Sequence, residues 1–218
     1  MRGKLIGLAL CGILAGMLVL AVRAQSPTTA PASASEVVIK GVSTLPVTFD
    51  GHVSKFEYAD AVHVTFPNGH GTVDGYVKCH DGFLYFAFQI PDLSPHPGDD
   101  IVTMLDTKNA KDAAPAAGDI RAYVRRKIEN SRMDEGKDGK WVNCYSDWEW
   151  HSELYATGWE VETRIPLKKL GVDFSKNVTI GLAFRIWDNE PQKVWNWPAG
   201  SQETQPNTWG TITFQAAK

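Results

Sequence analysis

GWEVETRIPLKKLGV, residues 158–172, joins a strand pattern directly to the signals of a short helical turn. Mainly apolar and polar side chains alternate along its first half, and the polar ones are Glu160, Glu162 and Arg164. Alternation with a period of two places the two sets on opposite faces of a β-strand. Pro166 is suited to begin a helical turn, and Gly171 to end it. The segment therefore predicts a strand followed by one short helical turn.

The rest of the chain repeats this strand pattern between turns. Further strands are predicted at residues 82–91, 101–106, 120–125, 178–187 and 208–214. Surface loops are predicted at residues 68–75 and 108–118, which are rich in turn-forming residues. Many short strands with frequent turns predict an all-β fold, an antiparallel β-sandwich of two sheets (immunoglobulin- or jelly-roll-like) with one short helical turn.

The first residues have the pattern of an export signal. Basic Arg2 and Lys4 precede an apolar and small-residue run from Leu5 to Val22, and small residues flank Arg23. This predicts a signal peptide over residues 1–24 and a secreted or periplasmic protein. An uncleaved membrane anchor is the alternative, because the run is nearly long enough to span a bilayer.

Residues 25–36 hold no large apolar side chain and predict a flexible linker, which leaves one domain at residues 37–218. Three of the 22 basic residues and no acidic residue lie in the signal, so 19 basic residues remain against 25 acidic ones. This acidic balance argues against nucleic acid as a partner. No membrane contact is expected after the signal is cleaved.

No catalytic motif is recognisable in the sequence, which has no Ser-His-Asp order, no HExxH and no P-loop. Glu160 and Glu162 share one strand face with their Cα atoms about 6.5–7 Å apart, a spacing from which their carboxyl groups could approach glycosidase separation. A solvated strand face beside Arg164 is the commoner source of such a pattern. We therefore predict a protein that is not an enzyme.

Two cysteines remain after the signal, Cys79 and Cys144. An even pair in an exported protein predicts a disulfide bond. Two free thiols are the alternative, because the sequence does not fix the distance between the two Cα atoms.

The stretch KVWNWPAGS, residues 193–201, places two tryptophans among turn residues. An exposed indole is costly unless it binds a ligand, and its flat face can cover the apolar C–H face of a sugar ring. Trp195 and Trp197 are therefore candidate sugar-binding residues on a loop. The alternative is that the two indoles have a structural role and pack within the loop.

Seven motifs occur in the order known from one protein family. They are FDGHVSKFEYADAV (49–62), VKCHDGFLYFAFQIPD (77–92), DDIVTMLDT (99–107), DIRAYV (119–124), GWEVETRIPLKKLGV (158–172), VTIGLAFRIWD (178–188) and TWGTITF (208–214). Together they resemble the family 9 carbohydrate-binding module and its DOMON-like relatives over nearly all of residues 45–214. The sequence departs from the family at Tyr58, where tryptophan is usual.

The resemblance implies a β-sandwich in which aromatic side chains stack on both faces of a terminal sugar and polar groups form hydrogen bonds with its hydroxyls. The family's aromatic residue near the C-terminus corresponds to Trp195 or Trp197, with Asn196 as a hydroxyl partner. The further candidates on the polar strand faces are Arg121, Tyr123 and Trp187.

The resemblance also implies structural calcium ions. Hard cations bind several oxygen ligands, and acids at a strand entrance supply them. Asp99, Asp100 and Asp106 are the calcium candidates.

Two rival functions come from the same broad fold. Some exported relatives hold a non-covalent b-type haem through methionine with lysine or histidine, and Met104 and Lys193 are the candidate ligands here. A structural or adaptor domain of the cell envelope is the other rival. The leading prediction is an exported, non-catalytic carbohydrate-binding module, which acts alone or beside separate glycoside hydrolases in polysaccharide catabolism.

Overall fold

The computed structural model describes residues 36–126, 131–144 and 147–216. The predicted signal peptide, and all of the predicted linker except Glu36, lie outside the described residues. In the described part of the chain, no helix is long and apolar enough to cross a membrane.

The described residues form an all-β fold, as predicted. The strands are β1 (Glu36–Lys40), β2 (Val62–Pro67), β3 (Thr72–His80), β4 (Phe83–Pro91), β5 (Asp100–Asp106), β6 (Asp119–Arg125), β7 (Arg132–Lys137), β8 (Lys140–Cys144), β9 (Glu149–Tyr155), β10 (Gly158–Pro166), β11 (Val178–Asp188), β12 (Lys193–Trp197) and β13 (Gly210–Gln215). The predicted helical turn is α1 (Leu167–Leu170), and Gly171 ends it with a left-handed backbone. A 3-10 turn covers Pro206–Thr208.

Two sheets form a sandwich. One has eight strands in the order β1-β13-β11-β5-β6-β7-β8, with β12 also paired to β11. The other has five strands in the order β2-β3-β4-β10-β9. Among these thirteen strands, every pairing is antiparallel except that of β1 with β13, which is parallel.

Strand β11 organises the larger sheet, because it is long enough to pair with two strands along one edge. Its first half pairs with β13 and its second half with β12, while β5 pairs along its other edge. On its inner face, Phe184 packs with the rings of Phe88 and Phe86 from β4, at centroid distances of 5.0 and 5.8 Å. These rings lie in the apolar core between the sheets.

Two predicted loops are corrected by the structure. Only the first part of residues 68–75 is a turn, in which the Asn68 side chain accepts hydrogen bonds from the N–H groups of His70 and Gly71, and β3 begins at Thr72. The stretch around Trp195 and Trp197 is strand β12 rather than a loop, because its backbone pairs with the second half of β11.

The predicted disulfide does not form, since Cys79 and Cys144 are both free thiols. Cys79 lies in β3, next to the edge strand β2, which approaches β1 of the other sheet. Cys144 ends β8, which is the opposite edge strand of the larger sheet. The lateral strand order therefore separates the two sulfur atoms.

The glutamates of β10 are buried, which overturns the prediction of a solvated strand face. Glu162 is fully buried, and its Oε2 accepts hydrogen bonds from the N–H groups of Asp50 (3.0 Å) and Gly51 (2.9 Å). Its Oε1 accepts one from the hydroxyl of Tyr58 at 2.6 Å. Burial raises the pKa of Glu162 to about 6.

Glu160 binds the same upstream segment in a second place. Its Oε2 accepts from the N–H of Val53 at 3.2 Å, and its Oε1 accepts from the side-chain amide of Gln89 at 2.7 Å. The two carboxylates therefore fasten residues 50–58 across the outer face of the smaller sheet, and these contacts give the pair a structural role. They also explain why Tyr58 suits this position, because its hydroxyl reaches Glu162.

We expect Glu162→Ala to lower the free energy of unfolding by roughly 3 kcal/mol or more, because it leaves two backbone donors and one hydroxyl without a buried acceptor. Urea denaturation would measure the loss. Glu149→Ala is the control, since the ion pair of Glu149 with Arg164 is largely exposed and contributes only about 0–1 kcal/mol. Equal losses in the two variants would contradict the role assigned to Glu162.

Candidate functional site

The outer face of the eight-stranded sheet carries a polar surface over a small apolar floor. The floor consists of Val102, Met104, Tyr123 and Ala183, which alternate with core residues along their strands, and of Trp209, which lies just before β13. The strands β5, β6 and β11 lie side by side here, so their outward side chains face one common surface.

Three arginines surround the ring of Tyr123 on this surface. The guanidinium carbon atoms of Arg132, Arg125 and Arg185 lie 5.0, 5.6 and 5.8 Å from the ring centroid. A cation over an aromatic face is attracted by the ring quadrupole. Tyr123 therefore helps to hold several cationic groups together at one place.

Carboxylates pair with some of these cations. Asp100 binds Arg185 at 2.6 Å and accepts a hydrogen bond from the hydroxyl of Tyr123 at 2.6 Å. Glu203 binds Arg121 and also lies 3.0 Å from Nε of Arg185, although that nitrogen makes no hydrogen bond to it. This network fixes the two arginines against the sheet.

Asp134 on β7 completes the network. It pairs with Arg121 and, at 3.2 Å, with Nε of Arg132. Arg121 also lies over the ring of Trp141, with its guanidinium carbon 4.9 Å from the centroid. Arg121 is thus engaged by two carboxylates and one indole, and its donors are largely used within the protein.

A cleft of about 410 Å³ opens beside this network. Its lining combines one half-buried indole, one tyrosine and several polar groups, namely Gly98, Asp100, Tyr123, Arg125, Arg185, Trp187 and Asn189. Such a surface offers an aromatic face together with hydrogen-bond donors and acceptors. It is suited to a polar ligand with an apolar face.

Strand β12 divides the predicted sugar-binding residues between two faces. Asn196 lies opposite Arg185 and so shares the outer face with the cleft. Trp195 and Trp197 lie opposite Ile186 and Phe184, so they share the inner face.

Both tryptophans of β12 pack within the protein. The ring of Trp197 lies 5.4 Å from that of Phe184 at the edge of the core. Trp195 covers Gly69 so closely that a Cβ at this glycine would lie 2.6 Å from the indole. The structure therefore brings together Arg121, Tyr123, Trp187 and Asn196 on one face, and places Trp195 and Trp197 on the other.

Besides Gly98, three residues of the cleft were not among the predicted site residues. Arg125 and Arg185 share strand faces with Tyr123 and Trp187, so the two-residue period of β6 and β11 could have identified them. Asn189 follows the end of β11, and no periodic signal marks it.

The three predicted calcium ligands do not lie together. Asp99 accepts hydrogen bonds from the N–H groups of His96 and Asn189, while Asp100 turns to the opposite face and binds Arg185. Asp106 is at the far end of β5, about 20 Å away, where it accepts from the N–H groups of Lys108 and Lys111.

Within residues 36–126, 131–144 and 147–216, no group of three or more His, Cys, Asp or Glu side chains is arranged to hold a metal ion. The three aspartates thus do not fit a shared calcium site.

The candidate haem ligands are also separated. Met104 is fully buried in the outer-face floor and lies opposite Ala183, whereas Lys193 lies opposite Asp188 on the inner side of β11. Five residues along a strand span about 17 Å. Met104 and Lys193 therefore do not fit the two axial positions of one haem.

Comparison with known proteins identifies the fold independently. The profile described as carbohydrate family 9 binding domain-like matches residues 77–217. Two solved structures of a family 9 carbohydrate binding module from Caldicellulosiruptor kristjanssonii are similar to the chain. The complex with cellotriose has 15% identity and a TM-score of 0.60, with 84% of this chain and 95% of that chain covered.

The complex of that module with glucose has 16% identity and a TM-score of 0.59, with 84% of this chain and 97% of that chain covered. A search of curated proteins gave no match. At these identities the structural likeness shows the fold.

We expect the free energy of unfolding to depend on the protonation state of Asp100. Burial raises the pKa of this carboxyl group to about 6, so the folded chain holds the proton more tightly than the unfolded chain does. The stability gained from protonation is therefore present below an ordinary aspartate pKa and is lost as the pH rises through 6. The free energy of unfolding of the wild type, relative to Asp100→Asn, is expected to fall between pH 4 and pH 7.

Urea denaturation at several pH values would measure this difference. Asp138→Asn, at the exposed tip of the β7–β8 hairpin, is the matched control. A constant difference between the wild type and Asp100→Asn across this range would show that the burial of Asp100 does not control its titration.

Proposed function

The chain belongs to the family of carbohydrate family 9 binding-like domains, and we propose that its binding site is the cleft beside Trp187 on the outer face of the eight-stranded sheet. In this proposal the domain binds a sugar or the end of a polysaccharide without cleaving it. The observation that carries the proposal is the position of the half-buried Trp187 next to guanidinium and amide donors in one cleft.

Stacking on Trp187 accounts for the apolar part of recognition. The indole is half-buried and lines the cleft from β11, so it presents a supported aromatic face. The C–H face of a pyranose ring would lie on this indole, and Tyr123 lines the cleft as a second aromatic.

Hydrogen bonds to the hydroxyls account for the polar part. Arg185 is held by Asp100, and a guanidinium fixed in this way donates in a defined direction. Asn189 offers a donor and an acceptor in the same cleft, and Asn196 does so next to Arg185. Recognition of this kind needs no catalytic group.

Trp195 and Trp197 have a supporting role in this account. Their contacts with Gly69 and Phe184 hold β12 against the inner side of the sandwich, which keeps Asn196 in place on the outer side. The two tryptophans thus contribute to the site through the position of their strand.

The proposal extends to location and partners. An exported module of this kind would be secreted or periplasmic after cleavage of residues 1–24. It would act in polysaccharide catabolism alone or beside separate glycoside hydrolases, because the carboxylates of Glu160 and Glu162 are engaged in holding residues 50–58.

A binding comparison of two tryptophan variants tests which face is used. Titration calorimetry with a panel of mono- and oligosaccharides, including glucose and cellotriose, would first identify a sugar that binds the wild type. We expect Trp187→Ala to weaken that binding by about 30-fold, as expected for an aromatic residue that dominates an interface. We expect Trp195→Ala to change it by less than about threefold once the fold is verified by circular dichroism.

The reverse order would show that the sugar contacts β12 from its inner side. No binding by the wild type on a broad panel would overturn the carbohydrate function itself.

A further inference from the structure

The cleft has an excess of positive charge, although the whole chain carries a formal net charge of −3. Two guanidinium groups, Arg125 and Arg185, line it against the single carboxylate of Asp100. Arg132 lies over the ring of Tyr123 as well, but its charge is paired with Asp134. A cleft lined by arginines, in a protein that is acidic overall, is suited to a negatively charged ligand.

In the part of the chain that the structure describes, the carboxylates near the cleft pair with arginines other than Arg125. Asp100 and Glu203 lie next to Arg185, and Asp134 pairs with Arg132 and with Arg121 farther along the face. Among the described residues, no carboxylate lies within 4.0 Å of Arg125. Its Nε is buried and has no hydrogen-bond partner there.

We propose that the cleft selects an acidic sugar, in which the carboxylate of a uronic acid binds Arg125 while the ring stacks on Trp187. This inference rests on the proposed function and names the class of its ligand. A planar guanidinium binds a planar carboxylate through two parallel hydrogen bonds, which a hydroxymethyl group does not provide.

The neighbouring groups fit this arrangement. Arg125 lies directly opposite Asp100 in the β5–β6 ladder, and its guanidinium carbon lies 5.6 Å from the ring of Tyr123 in the lining of the cleft. Trp187 lies opposite Asp100 on the other side of β5. The cation and the indole thus flank one carboxylate, and a pyranose ring on Trp187 would direct a substituent towards Arg125.

Matched sugar pairs test the inference with titration calorimetry. Each pair differs only at C6, and the pairs are glucose with glucuronic acid, galactose with galacturonic acid, and mannose with mannuronic acid. For the ring configuration that binds, we expect the acid to bind about tenfold more tightly than the neutral sugar, because a charge-assisted pair replaces a neutral hydrogen bond.

Variants of Arg125 test whether this residue is responsible for the preference for the acidic sugar. We expect Arg125→Gln to reduce the acid's advantage to less than about threefold while the neutral sugar still binds, because the amide keeps a donor but loses the charge. Lys55→Gln is the control, since it removes one positive charge from an exposed turn over the other sheet. It is expected to leave the advantage unchanged.

Arg125→Lys provides a second reading if Arg125→Gln does not fold. Lysine keeps the charge but not the planar pair of donors, so the advantage is expected to fall to about threefold.

Each other outcome overturns a distinct claim. Equal binding of the acid and the neutral sugar would overturn the acidic ligand and leave the carbohydrate function standing. An undiminished advantage in the Arg125 variants would overturn the role of Arg125. Tighter binding of glucose 6-sulfate than of glucuronic acid would overturn the claim that the charged group of the ligand is a carboxylate. If neither the sugars of the panel nor cellotriose bind, the proposed function and this inference are both overturned.

Discussion

The register of β11 is the constraint on which the rest of the structure depends. A strand exposes alternate side chains on opposite faces, so a shift of one residue would exchange its two faces completely. In the observed register, Phe184 and Ile186 enter the apolar core, while Arg185 and Trp187 face outward. The same backbone therefore builds the core and presents the site.

This constraint also fixes the neighbouring strands. β12 takes its orientation from β11, which sends Asn196 outward and the two flanking tryptophans inward. β5 and β6 continue the outer surface with Asp100, Tyr123 and Arg125. The cleft is thus a property of sheet pairing, and its side chains are held by ordered strands rather than by a loop.

Local patterns predicted the strands well and the long-range contacts poorly. The alternation in β10 identified a strand, but it gave no sign that residues 50–58 cover the face on which Glu160 and Glu162 lie. The covering segment lies more than a hundred residues upstream of β10. Alternation shows that the two faces of a strand differ, but it does not show what covers either face. The disulfide prediction failed for a related reason, because chain order does not give the lateral order of β3 and β8.

The candidate site was predictable in part. Tyr123 and Trp187, which line the cleft, were predicted because strand alternation and family resemblance both pointed to them, and Arg125 was within reach of the same alternation. Arg121 lies on the same face but outside the cleft, with its donors engaged by Asp134 and Glu203. The orientation of β12 was not predictable, because Pro198 and Gly200 give the segment the composition of a turn while its pairing partner, β11, determines its conformation.

The central claim is that the sugar lies on the outer face of the eight-stranded sheet. A crystal structure of the protein with a bound sugar tests this most directly. The account predicts a sugar ring over the indole of Trp187, with its polar groups within hydrogen-bonding distance of Arg125, Arg185 or Asn189. A sugar bound at Trp195 on the inner side of β12, or on the smaller sheet, would contradict it.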